Sequence, residues 1–381
     1  MWRAAAHAGW ARGVACSPKG DRFVTVGDDK RAKLWALEVR GAASGSGGGG
    51  GGPAFPSWGS AGGAAADEPT PLAAWAAPSA LLSVSHHARA NQFATCGAAV
   101  WVYDTSRSTP VSTLEWGADS VHHVAFNPSE RALLATCAQD RTVCLHDLRA
   151  GSSMVRVTMQ MKANCVSWNP RAPFVFAVGS EDHDAYSFDM RRPDKPLLIH
   201  RDHQGAVMDI AWNPTGREFA SASYDKTVRL FDAKGGRSRD VYHTKRMQRV
   251  FACHWTQDSK YVISGSDDTN LRIWKARASE ALGTVPARKA EAMKYAAALQ
   301  ERHAAVPEVR RIKNQRFVPK MIKKSKELKA VQSDKRRRKG ANVQKHSKSG
   351  AAFGEEERRK VMVRVEGVAE ASKAPEASAG R

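Results

Sequence analysis

Short apolar runs recur along this chain, and each ends in an aromatic residue or a histidine. In five of them an aspartate stands six positions before the last residue; the pairs are Asp29/Trp35, Asp140/His146, Asp182/Phe188, Asp225/Phe231 and Asp268/Trp274. A sixth run ends at Tyr103 and lacks the acid. From Tyr103 onward the run ends lie 43, 42, 43 and 43 residues apart. This spacing predicts a structural repeat of the length that propeller blades have.

Each repeat has the pattern of a small antiparallel sheet. The clearest copy spans residues 203–232, and its alternating apolar and polar positions predict strands at Val207 to Trp212, Glu218 to Ser223 and Thr227 to Phe231. An Asn-Pro turn follows the first strand, as it also does at Asn127-Pro128 and Asn169-Pro170. We therefore predict an all-β fold, a WD-repeat β-propeller in which six repeats are detected.

Histidine and aspartate recur with the repeat. His7 and Asp29 are 22 positions apart, and so are His203 and Asp225. In WD-type blades such a pair is hydrogen-bonded and holds strands together. We interpret both pairs as structural rather than catalytic because they recur with the repeat. The matching aspartates of the other copies, Asp140, Asp182 and Asp268, receive the same interpretation.

Composition divides the chain into three parts. We expect residues 1–275 to form the propeller, interrupted by a Gly-rich insert at 41–75 that contains the run Gly45 to Gly52. This run is not a phosphate-binding loop, because no Gly-Lys-Ser/Thr follows it. Pro286 opens a stretch of helix-forming residues, so residues 276–350 are predicted to be a basic helical region. Residues 351–381 have the composition of a disordered tail.

Most of the net positive charge lies after residue 275. The chain has 59 Lys/Arg and 38 Asp/Glu, a net charge of +21, and residues 276–381 hold 27 of these basic residues against 12 acidic ones. Such a surplus favours a polyanionic partner, most often a nucleic acid. The candidate residues for RNA binding or nuclear localisation are Lys323, Lys324, Lys335, Arg336, Arg337, Arg338 and Lys339. The alternative is a solvated helical face without a partner.

Two blade ends carry Asp-x-Arg, namely Asp147 with Arg149 and Asp189 with Arg191. Each pair could cap its strand through a local ion pair. Each also resembles the WDxR box that some WD-repeat proteins present to the adaptor of a cullin-based ubiquitin ligase. The match is partial, because the first position is His146 in one copy and Phe188 in the other.

Enzyme motifs are absent from the sequence: there is no HExxH, GxSxG, P-loop or kinase signature. We therefore expect a non-catalytic protein without a cofactor, a metal or a small-molecule substrate. Neighbouring histidines at His86-His87 and His122-His123 point to opposite faces of a strand and cannot easily share one ion. No apolar run is long enough to cross a bilayer, so no membrane partner is expected.

Further motifs are similar to one family of WD-repeat proteins, the SOF family. They comprise Val26 to Lys30, Phe93 to Gly97, Tyr242 to Gln248, Trp255, Asp258 to Tyr261, Gly265 to Asp267, Ile273 to Ala276, Ala278 to Glu280 and Lys345 to Lys348. The resemblance implies a seven-bladed propeller with a basic helical extension. Relative to that family the chain lacks an N-terminal extension and the first blade, which leaves open a truncated product or a six-copy ring.

The resemblance also implies a function. Family members are proteins of the nucleus and nucleolus that belong to the small-subunit processome. They associate with pre-ribosomal RNA, processome proteins and a small nucleolar RNP, and they are needed for pre-rRNA processing and small-subunit rRNA maturation. We expect this chain to be a scaffold in ribosome biogenesis. The alternative that the resemblance implies is a substrate receptor of a cullin-RING ubiquitin ligase.

Overall fold

The computed structural model describes residues 6–37, 71–115, 120–278, 280, 283–313, 315–346 and 361–366. The Gly45 to Gly52 run, and with it most of the predicted insert, lies outside the described residues. The same holds for most of the predicted tail at 351–381. The chain divides into two compact units, Met1–Phe126 and Asn127–Arg381.

The first unit contains two four-stranded antiparallel sheets and one further strand. Blade 1 is formed by β1 to β4 and blade 2 by β5 to β8, and in both the strands pair in sequence order. The strands are β1 (Ala11–Cys16), β2 (Arg22–Gly27), β3 (Arg31–Ala36), β4 (Ala73–Ala76), β5 (Ser83–His86), β6 (Gln92–Cys96), β7 (Ala99–Asp104), β8 (Ser112–Glu115) and β9 (Val121–Phe126).

The second unit continues the same meander. Blade 3 comprises β9 to β12 in sequence, blade 4 β13 to β16, blade 5 β17 to β20, and blade 6 the described strands β21 to β23. The strands are β10 (Leu133–Ala138), β11 (Thr142–Asp147), β12 (Ser152–Met159), β13 (Ala163–Trp168), β14 (Val175–Ser180), β15 (Ala185–Asp189), β16 (Leu198–His200), β17 (Val207–Trp212), β18 (Glu218–Ser223), β19 (Val228–Asp232), β20 (Ser238–Tyr242), β21 (Val250–Trp255), β22 (Tyr261–Ser266) and β23 (Leu271–Lys275).

Three helices follow the blades: α1 (Ala287–Arg302), α2 (Pro307–Lys313) and α3 (Lys320–His346). Pro286 precedes α1, and Pro307 occupies the first position of α2, where a missing backbone N–H costs no helical hydrogen bond. Helix α1 has no buried residue. The predicted fold class, a WD-repeat β-propeller followed by a helical extension, is confirmed. Among the described helices, none combines the length and the apolar character needed to cross a membrane.

The aromatic residues that end the repeats pack across their own blade. Phe231 of β19 pairs with Phe219 of β18, and the rings stack with centroids 5.4 Å apart. Trp212 of β17 lies 5.1 Å from Phe219 and extends the stack to the first strand. Both phenylalanines are fully buried. Each such ring contributes about 1.5–3 kcal/mol by leaving water, which explains why one aromatic residue per repeat organises a blade.

Two segments differ from the boundaries that the sequence suggested. Residues 73–75, placed in the insert, belong to β4, where Trp75 is buried and its indole N–H donates to the Arg107 carbonyl at 2.7 Å. Within the predicted tail, residues Met362–Glu366 form strand β24, which pairs antiparallel with the outer strand β12. Because β12 is the outer strand of its blade, the backbone donors and acceptors of its free edge are available to a further strand.

Candidate functional site

The predicted basic cluster lies on one helix. Lys323 and Lys324 are on the first turns of α3, whereas the run from Lys335 to Lys339 is on its second half. All seven side chains are exposed. The nearest acid is Asp334, which lies 3.3 Å from the Arg337 guanidinium and is itself half exposed. We call residues 335–339 the far cluster. Its charge is solvated, so it can be offered to an anionic partner without any cost to the fold.

Ion pairs attach the first half of α3, and the residues just before it, to blade 5. The Asp202 carboxylate, only 6% exposed, accepts a hydrogen bond from Arg316 at 3.0 Å, and the Lys326 ammonium lies 3.3 Å from its other oxygen. Arg316 also donates to the Ser238 hydroxyl at 3.0 Å. One buried acid therefore holds two basic residues of the extension.

Apolar and aromatic contacts support the same attachment. The Phe317 ring stacks on His243 with centroids 5.3 Å apart and planes inclined by 14°, and the His243 Nε2–H donates to the Phe317 carbonyl at 3.2 Å. Ile322 is the one buried residue of α3 among those described. The attachment therefore combines ion pairs, ring stacking and burial rather than long-range attraction alone.

Asp202 is ionised although it is buried. Burial acts to raise the pKa of Asp202, but the Ser238 N–H and hydroxyl, both at 2.8 Å, and the charges of Arg229 and Lys326 outweigh it and leave the pKa below its usual value. Arg229 is itself buried and lies 3.8 Å from both Asp202 and Asp225. The Asp202 carboxylate therefore balances the charge of the buried Arg229 and also binds the C-terminal extension.

Sequence reasoning missed Asp202 and Arg316. Asp202 adjoins His203 but stands outside the six-position acid pattern, and Arg316 is one basic residue among many. Because the two are 114 positions apart, no local pattern connects them.

The Asp-x-Arg pairs behave differently in the two blades. Arg191 is folded back on Asp189 through two hydrogen bonds of 3.1 and 2.8 Å, and its guanidinium lies 4.7 Å from the centre of the Phe174 ring. Arg149 donates only its backbone N–H to Asp147, at 2.9 Å. Its side chain is exposed and makes no ion pair with the described residues. Arg149 is thus the more accessible of the two for an adaptor.

The His–Asp pairs lie inside blades. In blade 5 the His203 Nδ1–H donates to Asp225 at 3.0 Å, and its Nε2 lies 2.6 Å from the Ser221 hydroxyl. In blade 1 His7 contacts Asp29 and Thr25, each at 2.8 Å, and the Trp35 indole donates to the same Thr25 hydroxyl. Burial lowers the pKa of His203, so its ring is neutral near pH 7. Both networks connect strands of a single sheet and are closed to substrate.

The repeated aspartates also shape the hairpin that follows them. Each accepts the backbone N–H two residues ahead, and the residue in between has a positive φ. Those left-handed residues are Lys30, Arg141, His183, Lys226 and Thr269, with φ of 60–79°. A carboxylate that accepts a turn N–H offsets part of the strain of a left-handed, non-glycine residue. The described residues contain no group of three His, Cys, Asp or Glu that could hold a metal ion.

Comparison with known families matches both parts of the chain. The Sof1-like domain model matches residues 276–362, which include α1 to α3 and the start of β24. The model of the WD domain, G-beta repeat, matches residues 3–36, 108–147, 194–232 and 240–275. The first match therefore begins where the second ends.

Curated relatives align over most of the chain. A zebrafish (Danio rerio) protein named DDB1- and CUL4-associated factor 13 is 40% identical over 94% of this chain and 76% of its own length. The human (Homo sapiens) protein of the same name is 39% identical over the same shares. Protein SOF1 of Saccharomyces cerevisiae is 36% identical over 86% of this chain and 64% of its own length.

Proposed function

This chain belongs to the Sof1-like family of WD-repeat proteins, and from that premise we propose that it is a non-catalytic scaffold in ribosome biogenesis. It acts in the small-subunit processome, in pre-rRNA processing and small-subunit rRNA maturation. One observation carries the proposal: the Sof1-like match covers the helix that bears the far cluster. The blades supply rigid surfaces for processome proteins, while the extension supplies charge.

The far cluster is the part that contacts RNA in this proposal. Five neighbouring exposed cations neutralise phosphates and release condensed counterions, which gives an affinity that depends on salt and little on sequence. Lys323 and Lys324 add charge close to the anchored end of α3. The same basic run serves as a nuclear localisation signal and places the protein in the nucleus and nucleolus.

A pull-down from nuclear extract tests this function. The tagged full-length chain is compared with a variant in which residues 335–339 are all changed to Gln, each with and without RNase. We expect the wild type to recover pre-ribosomal RNA and processome proteins, and the variant to lose the RNA and those proteins that RNase also releases. Equal recovery by both chains would show that the far cluster has no part in RNA association.

A second candidate function is favoured by the name of several relatives, which describes them as DDB1- and CUL4-associated. In this reading the chain is a substrate receptor of a cullin ligase, and Asp147, Arg149, Asp189 and Arg191 bind the adaptor. Arg149 contributes more than Arg191, because Arg191 must first leave Asp189 and Phe174. The double variant Arg149→Ala/Arg191→Ala should lose adaptor binding while it retains RNA. Full binding of DDB1 by this variant would exclude the assigned residues.

A further inference from the structure

The asparagines of the Asn-Pro turns connect each blade to the next. Asn127 of blade 3 donates its side-chain Nδ2–H to the Pro173 carbonyl of blade 4 at 2.8 Å. Asn169 of blade 4 makes the same bond to the Gly216 carbonyl of blade 5, at 3.0 Å. In both cases the Oδ1 atom accepts backbone N–H groups of its own turn. The amide oxygen thus bonds within its own blade, and the amide nitrogen bonds to the next one.

The third asparagine of the series, Asn213, does not make this bond to the next blade. Asn213 of blade 5 accepts the Thr215 N–H with its Oδ1 at 3.0 Å, as its counterparts do. Its Nδ2–H, however, donates to no residue in the described part of the chain, although Asn213 is only 5% exposed. The Nδ2 atom is not among the fully buried atoms that lack a partner, so this unpaired donor reaches solvent and is open to a ligand.

The residue that faces the asparagine differs between the blade 4–5 and blade 5–6 interfaces. Gly216 has φ +69°, and a Cβ built on it would lie 2.5 Å from Asn169 Oδ1. The close approach of blades 4 and 5 therefore requires glycine at this position. The corresponding position of blade 6 is Ser259, which has φ 58° and carries a side chain. Asn213 and Ser259 both lie in the wall of a cleft between blades 5 and 6.

The cleft is lined by hydrogen-bond donors and positive charge. Its wall also contains Thr215, Arg217, Glu218, Lys260, Lys275, Ala276, Arg277 and Glu280. The two acids are already engaged, Glu218 by Arg239 at 3.1 Å and Glu280 by Arg277 at 3.0 Å. Arg217, Lys260 and Lys275 are exposed and form no ion pair with the residues that the structure describes. Three cations and one unpaired amide donor therefore line the same cleft.

We propose that this cleft binds a phosphate group of an RNA backbone. Phosphate oxygens accept from guanidinium, ammonium, amide and hydroxyl groups, and all four kinds of donor are present. The described lining holds no aromatic residue and no apolar residue larger than alanine, so it offers little to the side chains of an acidic peptide. The inference rests on the proposed function, since it assumes RNA as the partner. It adds a second contact, on the blades, to that of the far cluster.

RNA binding by the full chain tests the cleft. Fluorescence anisotropy with a labelled single-stranded RNA is measured over a salt series for the wild type, Arg217→Gln/Lys260→Gln, and the matched control Arg131→Gln/Lys195→Gln. The control removes two exposed cations elsewhere in the same unit. We expect the cleft variant to bind about 3- to 10-fold more weakly and its salt slope to fall by about 1.4, because each phosphate contact on a single strand contributes about 0.7. The control should match the wild type.

A second variant reports on the amide donor. Asn213→Asp keeps the oxygen that accepts the Thr215 N–H and replaces the free donor by a repulsive carboxylate, so it should weaken RNA binding at least as much while circular dichroism stays native. If the cleft variants bind RNA as tightly as the control while a far-cluster variant has lost RNA affinity, the cleft proposal is wrong and the proposed function stands. A wild type without RNA affinity overturns both proposals. If poly-aspartate of matched charge displaces the labelled RNA as well as unlabelled RNA does, the ligand of the cleft is an acidic protein segment instead.

Discussion

Blade 5 and the far cluster both concentrate charge, and they use it in opposite ways. In blade 5, the buried guanidinium of Arg229 lies 3.8 Å from the carboxylates of both Asp202 and Asp225, whose side chains are also buried. In the far cluster, the cations at 335–339 are exposed and have one neighbouring acid among the described residues, Asp334. Charge buried in a blade positions neighbouring elements and is costly to remove from one side only. Exposed charge on a helix contributes little to stability and stays available to a partner.

The first half of α3 lies between these two cases. Arg316 and Lys326 reach Asp202 and are therefore part of the fold, although their sequence looks like that of the far cluster. The number of basic residues in a sequence therefore does not show how many cations are available to nucleic acid. The following four predictions, in order of decreasing effect, test this difference.

The largest effect should follow from removing the far cluster. Changing residues 335–339 to Gln should lower RNA affinity on the order of 10²- to 10³-fold near physiological salt and reduce the salt slope by about 3.5. The free energy of unfolding should change by less than about 0.5 kcal/mol, because the positions are exposed and Gln is a good helix former. Anisotropy and urea denaturation measure the two quantities.

Helices α1 and α2 offer a control with the same loss of charge. Arg288, Lys289, Lys294, Arg302 and Arg310 are exposed, and changing all five to Gln removes the same charge without touching α3. If this control loses as much affinity as the far-cluster variant, RNA responds to net charge alone and the comparison fails.

The next largest effect should come from Asp202→Ala. It leaves the buried Arg229 with Asp225 as its nearest remaining acid and releases Arg316 and Lys326, so we expect a loss of about 3 kcal/mol in the free energy of unfolding. Hydrogen exchange should increase over the first turns of α3 and change little over 335–339. The exposed Asp194→Ala is the control. Unchanged exchange at 320–329 would mean that the anchor lies elsewhere.

A smaller effect is expected from pH, and it concerns the blades. Burial, helped by the charge of Arg156, lowers the pKa of His146 to about 4, and burial lowers that of His200 to about 4 as well. In the unfolded chain both titrate near 6.5, so between these values the unfolded state binds more protons and stability falls as the pH falls. Each histidine should cost about 2 kcal/mol at pH 5 relative to neutral pH.

His146→Phe provides the matched comparison, because other copies carry an aromatic residue there and Phe cannot titrate. Its stability should fall less steeply between pH 7 and pH 5 than that of the wild type. Asp184 acts in the opposite direction in both chains, because burial and the charge of Asp182 raise its pKa to about 6, and it therefore cancels in the difference. Parallel pH profiles would show that His146 is protonated in the folded state.

The smallest effect separates the two Asp-x-Arg pairs. Arg191→Ala removes a two-bond contact to Asp189 and a stacked contact on Phe174, so its midpoint of thermal unfolding should fall slightly. Arg149→Ala should leave the midpoint unchanged, since its side chain makes no described ion pair. Calorimetry of both variants under one set of conditions measures the difference. A larger fall for Arg149→Ala would contradict the contacts described here.

Several features of the fold were predictable because their determinants are close in the chain. A blade is a local meander, so alternation, turn residues and the position of one aromatic residue specify it within one repeat. Trp75 was harder to place, because its short strand β4 follows a low-complexity segment and carries little alternation of its own. Strand β24 was not predicted, since its partner β12 lies about 200 positions earlier and its own sequence is rich in charge.

By itself the sequence determined the blade pattern, the Asp-centred hairpins and the concentration of positive charge near the C-terminus, since each depends on neighbouring residues. Which charges are paired within the fold and which remain available depends on tertiary packing. Asp202 pairs with Arg316 and Lys326 across more than 110 positions, and Asn213 lines a cleft together with Ser259 of the next blade. Both outcomes depend on the distance between elements that packing brings together, and periodicity within a repeat contains no information about that distance.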